Sequence, residues 1–342
     1  VIDAVTRVRA PGRVNLIGDH TDYTGGLVLP MAIDRWTEIV GTPGGGRIRL
    51  SSADEPEMAD LQLPVNEPEL AAPAWARYVA GVAAELDSAD GFRGHITTDI
   101  PIGAGLSSSA ALEVATALAL GFSGTAVDLA LLCQRAEQRA SGVPSGIMDQ
   151  LVISAAVPGH ALLIDCHSLD VEPVAMPDGV EVVVVFVAHR TLVGSAYAQR
   201  VAECAAAESE IGPLRLASTA DAARIGDPVM RMRAIHVTSE NDRVRAFATA
   251  FRDGDVVEAG RLMTAGHASL RDDFGTSTAA MDDAVRDLCD VPGVYGARMT
   301  GGGFGGCVVA LTRPGVLAER WRSSWLVHAV GAAERVAGTG PR

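Results

Sequence analysis

The run Pro101-Ile102-Gly103-Ala104-Gly105-Leu106-Ser107-Ser108-Ser109-Ala110-Ala111 sets glycines and serines between a β-branched stretch and an alanine-rich one. Glycines let a main chain approach an anion closely, and the first turn of a helix offers free N–H groups at the positive end of its dipole. The serine hydroxyls can cap the helix, bind a phosphate oxygen or ligate Mg²⁺. Three such features in one strand–loop–helix setting favour anion binding over an ordinary capped turn. The chain contains no lysine, so all 28 basic residues are arginine. A Walker-type phosphate loop and Schiff-base chemistry both need lysine, and both are excluded. Nucleotide phosphates would have to be held by backbone N–H groups, helix dipoles, arginine and metal.

These residues need a scaffold. β-Branched runs alternate with Ala/Leu-rich stretches, the pattern of an α/β or α+β chain. Residues 5–8 and 14–17 are expected as strands around an Ala10-Pro11-Gly12 break, with others at 47–50, 94–99, 161–165 and 182–188. Helical patterns cover 75–86, 110–122, 126–139, 197–209, 242–253 and 257–270, and 306–311 is the last clear strand. The acid- and proline-containing stretch 170–178 suggests a boundary between two domains, 1–175 and 176–342.

Composition narrows the class further. At 342 residues, 48% hydrophobic and 20% charged, the sequence is that of a globular chain long enough for two sizeable cores. A formal net charge of −14 with no basic block argues against a nucleic-acid partner. Five scattered cysteines (Cys133, Cys166, Cys204, Cys289, Cys307) without a CxxC pair suit reduced thiols in a cytosol. The opening Val1-Ile2-Asp3-Ala4 lacks signal-peptide character, and no stretch reads as a membrane span. A cytoplasmic location, no membrane partner and a monomeric state are the expectations.

The 101–111 run resembles the central motif of the GHMP small-molecule kinases. Two segments flank it in that superfamily's order. Gly12-Arg13-Val14-Asn15-Leu16-Ile17-Gly18-Asp19-His20-Thr21-Asp22-Tyr23-Thr24-Gly25-Gly26-Leu27-Val28-Leu29-Pro30 is similar to the narrower galactokinase signature, and Arg298-Met299-Thr300-Gly301-Gly302-Gly303-Phe304-Gly305-Gly306-Cys307 to the third motif. Ser145-Gly146-Ile147-Met148-Asp149-Gln150 and His267-Ala268-Ser269-Leu270-Arg271-Asp272-Asp273 extend the likeness over nearly the whole chain.

The resemblance implies two α/β domains with the active site in the cleft between them. It also implies ATP and Mg²⁺ as cofactors and a small sugar as the acceptor. Asp149 takes the place of the catalytic aspartate facing the anomeric hydroxyl, and Arg13 that of the catalytic arginine; whether Asp149 removes the proton or orients the hydroxyl stays open. Asp19, His20, Asp22, Gly146 and Tyr197 correspond to sugar contacts. Gly103, Gly105, Leu106, Ser107, Ser108, Ser109 and Ala110 correspond to the ATP loop, and Ser109 with Glu137 to the metal site. Trp75 and Tyr78 stand where the adenine pocket is expected, although aromatic residues at helical spacing also serve cores. The 301–306 loop is expected to support the phosphate loop from the second domain.

Three departures stand out. Asp19 replaces the usual glutamate, withdrawing the carboxylate by about 1.5 Å, one C–C bond; a relaxed or shifted preference near the sugar's C6 is expected. His189-Arg190 stands where a Lys or Arg often begins the segment, and the helix before Trp325 looks shortened. The implied reaction is ATP-dependent phosphorylation of galactose at C1. The alternatives are a kinase for galactosamine, N-acetylgalactosamine or a C6-modified galactose, and a non-catalytic sensor of sugar and ATP.

Overall fold

The computed structural model describes residues 5–189, 196–317 and 324–336. The expectations placed on residues 1–4, on Arg190 and on the helix before Trp325 fall wholly or partly outside them. Five strands of the first half and one from residues 334–335 build a six-stranded sheet in the order β13-β1-β3-β6-β4-β5. Its strands are β1 (Thr6–Asn15), β3 (Pro30–Pro43), β4 (Arg47–Ser52), β5 (Ala59–Gln62), β6 (Phe92–Thr98) and β13 (Glu334–Arg335). β2 (Leu27–Val28), β7 (His160–Asp165) and β8 (Val171–Ala175) form a three-stranded sheet, and β9 (Glu181–Ala188), β10 (Val294–Met299), β11 (Gly306–Thr312) and β12 (Ser324–Val327) a four-stranded one.

Helices α1 (Ala76–Glu85), α2 (Ser108–Ala119), α3 (Ala126–Ser141) and α4 (Met148–Ala155) belong to the first half. α5 (Tyr197–Ile211), α6 (Thr219–Ala222), α7 (Pro228–Asp253), α8 (Val256–Ser269) and α9 (Ala279–Cys289) belong to the second. Sequence chemistry sets their ends. Thr125 and Asp128 form a reciprocal capping box at the start of α3, and Gly142 closes it in a left-handed conformation. Asp227 caps α7 and Pro228 occupies its first turn, where a missing N–H costs nothing.

β9 shows why its valine run lacks polar alternation. Val182 and Val184 enter the larger core, which holds the first half together with Phe247, Phe251 and Val309. Val183 and Val185 enter a second core with Ala234, Phe274 and Val308. Successive strand residues point to opposite faces, so a strand covered on both must be apolar throughout.

The elements add to or differ from the sequence pattern at four places. The break at Pro11 and Gly12 is a register shift inside one continuous strand, β1, against β3. The stretch 170–178 contains β8. α7 starts at Pro228, well before 242. β12 and β13 follow 306–311, the last strand with a clear sequence pattern. None of the five cysteines forms a disulfide among the described residues, and Cys307 is buried in β11. No helix among the described residues is long and apolar enough to cross a membrane.

Candidate active site

Gly12 brings β1 onto the 103–109 loop: a Cβ there would stand 2.8 Å from the Leu106 carbonyl oxygen. The next residue is zipped to that loop. The Arg13 N–H donates to Leu106 O at 3.1 Å, and its Nη1 donates to Gly105 O at 2.7 Å. Nε and Nη2 then donate side-on to Asp149 Oδ1 and Oδ2, each at 2.6 Å. Such a bidentate pair fixes orientation as well as charge. Arg13 is buried, whereas the Asp149 side chain keeps 26% of its surface open. The Ser107 hydroxyl also donates to Asp149 Oδ2. Asp149 lies in the first turn of α4, where the helix dipole favours a carboxylate.

On one side of this pair lies the 19–22 cluster. A Cβ on Gly146 would fall 2.0 Å from Asp22 Oδ2, so only glycine lets that carboxylate lie where it does. Burial, and then the charge of Asp149, push the Asp22 carboxyl up to about 7. His20 is buried with its Nδ1 at 3.0 Å from the Tyr23 hydroxyl, and its ring lies 5.5 Å from that of Tyr197 and 4.7 Å from that of Phe274. Asp19 accepts from Arg298 Nη2 at 2.6 Å and from the Gly301 N–H at 2.8 Å. Burial raises its pKa, and the Arg298 charge offsets part of that rise.

On the other side lie the loop and a carboxylate pair. The Ser109 hydroxyl donates to Glu137 Oε1 at 3.3 Å, while Ser145 Oγ and Gln150 Nε2 donate to Oε2 at 2.8 and 2.9 Å. The same Gln150 nitrogen donates to Glu113 Oε2 at 3.0 Å. Burial and the charge of Asp149 raise the Glu137 carboxyl; burial and the charge of Glu137 raise Glu113 well above its ordinary 4.5.

Glu113 is fully buried, so this shift is a statement about stability. Its contribution is complete below about 4.5, the unfolded pKa, and is lost as pH rises through the higher folded value. Glu113→Gln has nothing to lose on that side. The variant is expected to match the parent near pH 4 and to melt at a progressively higher temperature than the parent as pH rises above 4.5, as read by thermal unfolding across pH. A gap independent of pH would show that Glu113 does not fold protonated.

Arg13, Asp19, His20, Asp22, Glu137, Gly146 and Asp149 line one cleft of about 350 Å³. Gly103, Gly105, Ser107, Ser108 and Ser109 line it, as do Trp75 and Tyr78, and Tyr197, Gly301 and Gly302 reach it from the second half. Trp75 donates its indole N–H to the Glu57 carbonyl at 3.2 Å. The Tyr78 hydroxyl is pushed up to about 12 by burial and by the charges of Glu137 and Glu113. Leu106 and Ala110 are buried and lie behind the residues that line the cleft.

Residues 3–43 match the galactokinase galactose-binding signature. The GHMP kinase N-terminal domain matches 76–156, and the GHMP kinase C-terminal domain 247–326. The galactokinase of Bos taurus is 43% identical over 324 residues, covering 89% of this chain and 83% of its own. That of Chloroflexus aggregans is 44% identical over 330 residues, covering 90% and 84%. The chain belongs to the galactokinase family.

As a galactokinase-family member it is a phosphotransferase acting on a sugar, and the family implies ATP as the donor. The crystal structure of Lactococcus lactis galactokinase complexed with galactose superposes with a TM-score of 0.91 at 30% identity, covering 97% of this chain and 95% of that one. A mevalonate kinase at 20% identity and a TM-score of 0.68 shares the fold.

Several residues that hold this galactokinase-family site together escaped the sequence reading. On α7, His236 Nε2 donates to the Asp19 carbonyl at 3.1 Å; Glu240 Oε1 accepts from the Gly18 N–H at 3.0 Å and Asn241 Oδ1 from the Leu27 N–H at 2.8 Å. One helix stripe thus holds the main chain of the signature loop. The spacing 236–240 puts two polar groups on one helical face, a signal that a solvated face gives equally. The Thr300 hydroxyl donates to Asn15 O and accepts from Asn15 N–H, both at 3.0 Å. With Gly301 on Asp19, the third glycine motif is bonded to the signature strand and its loop.

Proposed function

We propose that this protein transfers the γ-phosphoryl group of ATP to the C1 hydroxyl of D-galactose, giving α-D-galactose 1-phosphate and ADP. The observation that carries the reading is the Arg13–Asp149 pair, seated between the 103–109 loop and the 19–22 cluster within one cleft. Phosphoryl transfer asks little covalent chemistry of a protein and much positioning. The sugar's C1 hydroxyl donates to the Asp149 carboxylate, which orients its oxygen toward the γ-phosphorus. As the new O–P bond forms, the hydroxyl proton passes to Asp149, and the bond from the γ-phosphorus to the bridging oxygen breaks, its electron pair leaving with ADP. A carboxylate is a weak base toward an alcohol, so the transfer accompanies bond formation. Arg13, in contact with Asp149 and the loop, stabilises negative charge developing between them.

Ser109 and Glu137 are the residues that would hold Mg²⁺. They converge as two hard oxygens at 3.3 Å, and the lasting partners of Glu137 lie on Oε2, leaving Oε1 for an ion. When bound, the ion would neutralise triphosphate charge. Trp75 and Tyr78 take the adenine end, and His20, Asp22, Gly146 and Tyr197 the sugar end. The chain divides near 175–176, between β8 and β9, in a monomer.

Asp19 is the point at which substrate preference is open to change, because both its oxygens are already engaged by Arg298 and Gly301. The test is a sugar panel at fixed ATP and Mg²⁺, read by coupled ADP release. Galactose is expected to give the highest kcat/KM, with 6-substituted galactoses losing less than about tenfold, roughly 1.4 kcal/mol. Higher kcat/KM for galactosamine or N-acetylgalactosamine would reassign the substrate. Absence of turnover with every sugar would leave a binding protein.

A further inference from the structure

Ser107 occupies the position immediately before α2, where a serine ordinarily caps the helix, yet its side chain makes no cap hydrogen bond. Its backbone is left-handed, with φ at 63°, a conformation that an L residue with a Cβ adopts at a cost. The hydroxyl so placed donates to Asp149 Oδ2. A local strain held at this point, with the expected capping bond given up, indicates that the position of the hydroxyl is what the loop maintains.

Counting lone pairs on Asp149 shows what this contact does. A carboxylate offers about four acceptor sites, two on each oxygen. Oδ2 receives Arg13 Nη2 and Ser107 Oγ, and both of its sites are filled. Among the described residues, Oδ1 receives Arg13 Nε alone. We infer that Ser107 is a positioning residue which, by saturating Oδ2, leaves Oδ1 of Asp149 as the oxygen that takes the proton of the substrate hydroxyl. Without the serine, Oδ2 regains an open site and the hydroxyl has two places to dock, one of which turns its oxygen away from the phosphorus. This rests on the proposed kinase reading, and it moves Ser107 from the nucleotide to the acceptor side of the transfer.

Glycine and alanine at position 107 separate the hydroxyl from the backbone. Ser107→Gly removes the hydroxyl and relieves the left-handed strain; Ser107→Ala removes the hydroxyl and keeps the strain. In steady-state kinetics both variants are expected to lose about tenfold in kcat, with KM for sugar and for ATP within about twofold of the parent, because misdirected docking binds but does not react. The melting temperature of Ser107→Gly is expected to equal or exceed the parent's. A raised KM for ATP with kcat intact would make Ser107 a phosphate ligand and overturn the inference, as would unchanged kinetics in the glycine variant. An inactive parent protein in the same assay would instead overturn the kinase reading itself.

Discussion

Asp149→Ala is expected to lower kcat by about 10³-fold while the sugar still binds, the middle of the range found for removing a positioned acid–base group. The carboxylate is the one acceptor that both faces the cleft and is fixed from behind by Arg13 and Ser107. Without it the C1 hydroxyl has nothing to orient it and nowhere to send its proton. Sugar affinity is expected to survive because the loop carrying the 19–22 cluster keeps its own supports on α7 and in the third glycine motif. The substitution also strands a buried guanidinium, so folding must be checked alongside activity; Asp149→Asn, which retains one carbonyl acceptor for Arg13, is the gentler control. Coupled ADP release gives kcat and isothermal titration gives sugar affinity. Activity within tenfold of the parent would remove Asp149 from the reaction.

How much of this was legible beforehand depends on where each residue's information lies. The phosphate loop was, because glycines, serines and a following helix are contiguous in sequence and their chemistry is local. The pairing of Arg13 with Asp149, 136 positions apart, was reachable only through the family resemblance. β3, the long strand that pairs with both β1 and β6, went unread: Pro30-Met31-Ala32-Ile33-Asp34-Arg35-Trp36-Thr37 mixes a proline start with adjacent charges and gives no clean period of two. Burial on both faces at its start and partial exposure beyond explain the irregularity. The early part of α7 was missed for a related reason. Its Met230-Arg231-Met232-Arg233 run alternates like a strand, and the helix is set by the Asp227–Pro228 cap and by packing on the signature loop. Contacts such as Glu240 to Gly18 depend on tertiary placement, and no local pattern encodes them.

Arg298→Met is expected to cost about 3–5 kcal/mol of stability near pH 7, the usual penalty for stranding buried charge. Arg298 is fully buried between Asp19 and Glu240, at 2.6 and 2.8 Å. The two carboxylates are not equally exposed to its loss. Burial works against a charged Glu240, but Arg298 and Arg243 outweigh it and hold its carboxyl below the ordinary range; after the substitution Glu240 keeps Arg243 at 2.6 Å and the Gly18 N–H. Asp19 loses the one cation bonded to it and keeps the Gly301 amide. The sign of the pH dependence follows. In the parent, the Glu240 contribution is present above about 4.5, its unfolded pKa, and is lost only as pH falls through the lower folded value. In the variant, a buried and unpaired Asp19 takes up a proton as pH falls and relieves its own penalty, so the stability gap should narrow between pH 7 and pH 5. Adding Asp19→Asn should recover part of the loss at pH 7, since a neutral amide oxygen still accepts from Gly301. Urea unfolding of the two single variants, the double variant and the parent at both pH values measures the coupling. A single-variant loss below about 1 kcal/mol would mean that water or a shifted neighbour replaces the guanidinium, and the signature loop would then be held by α7 without this charge.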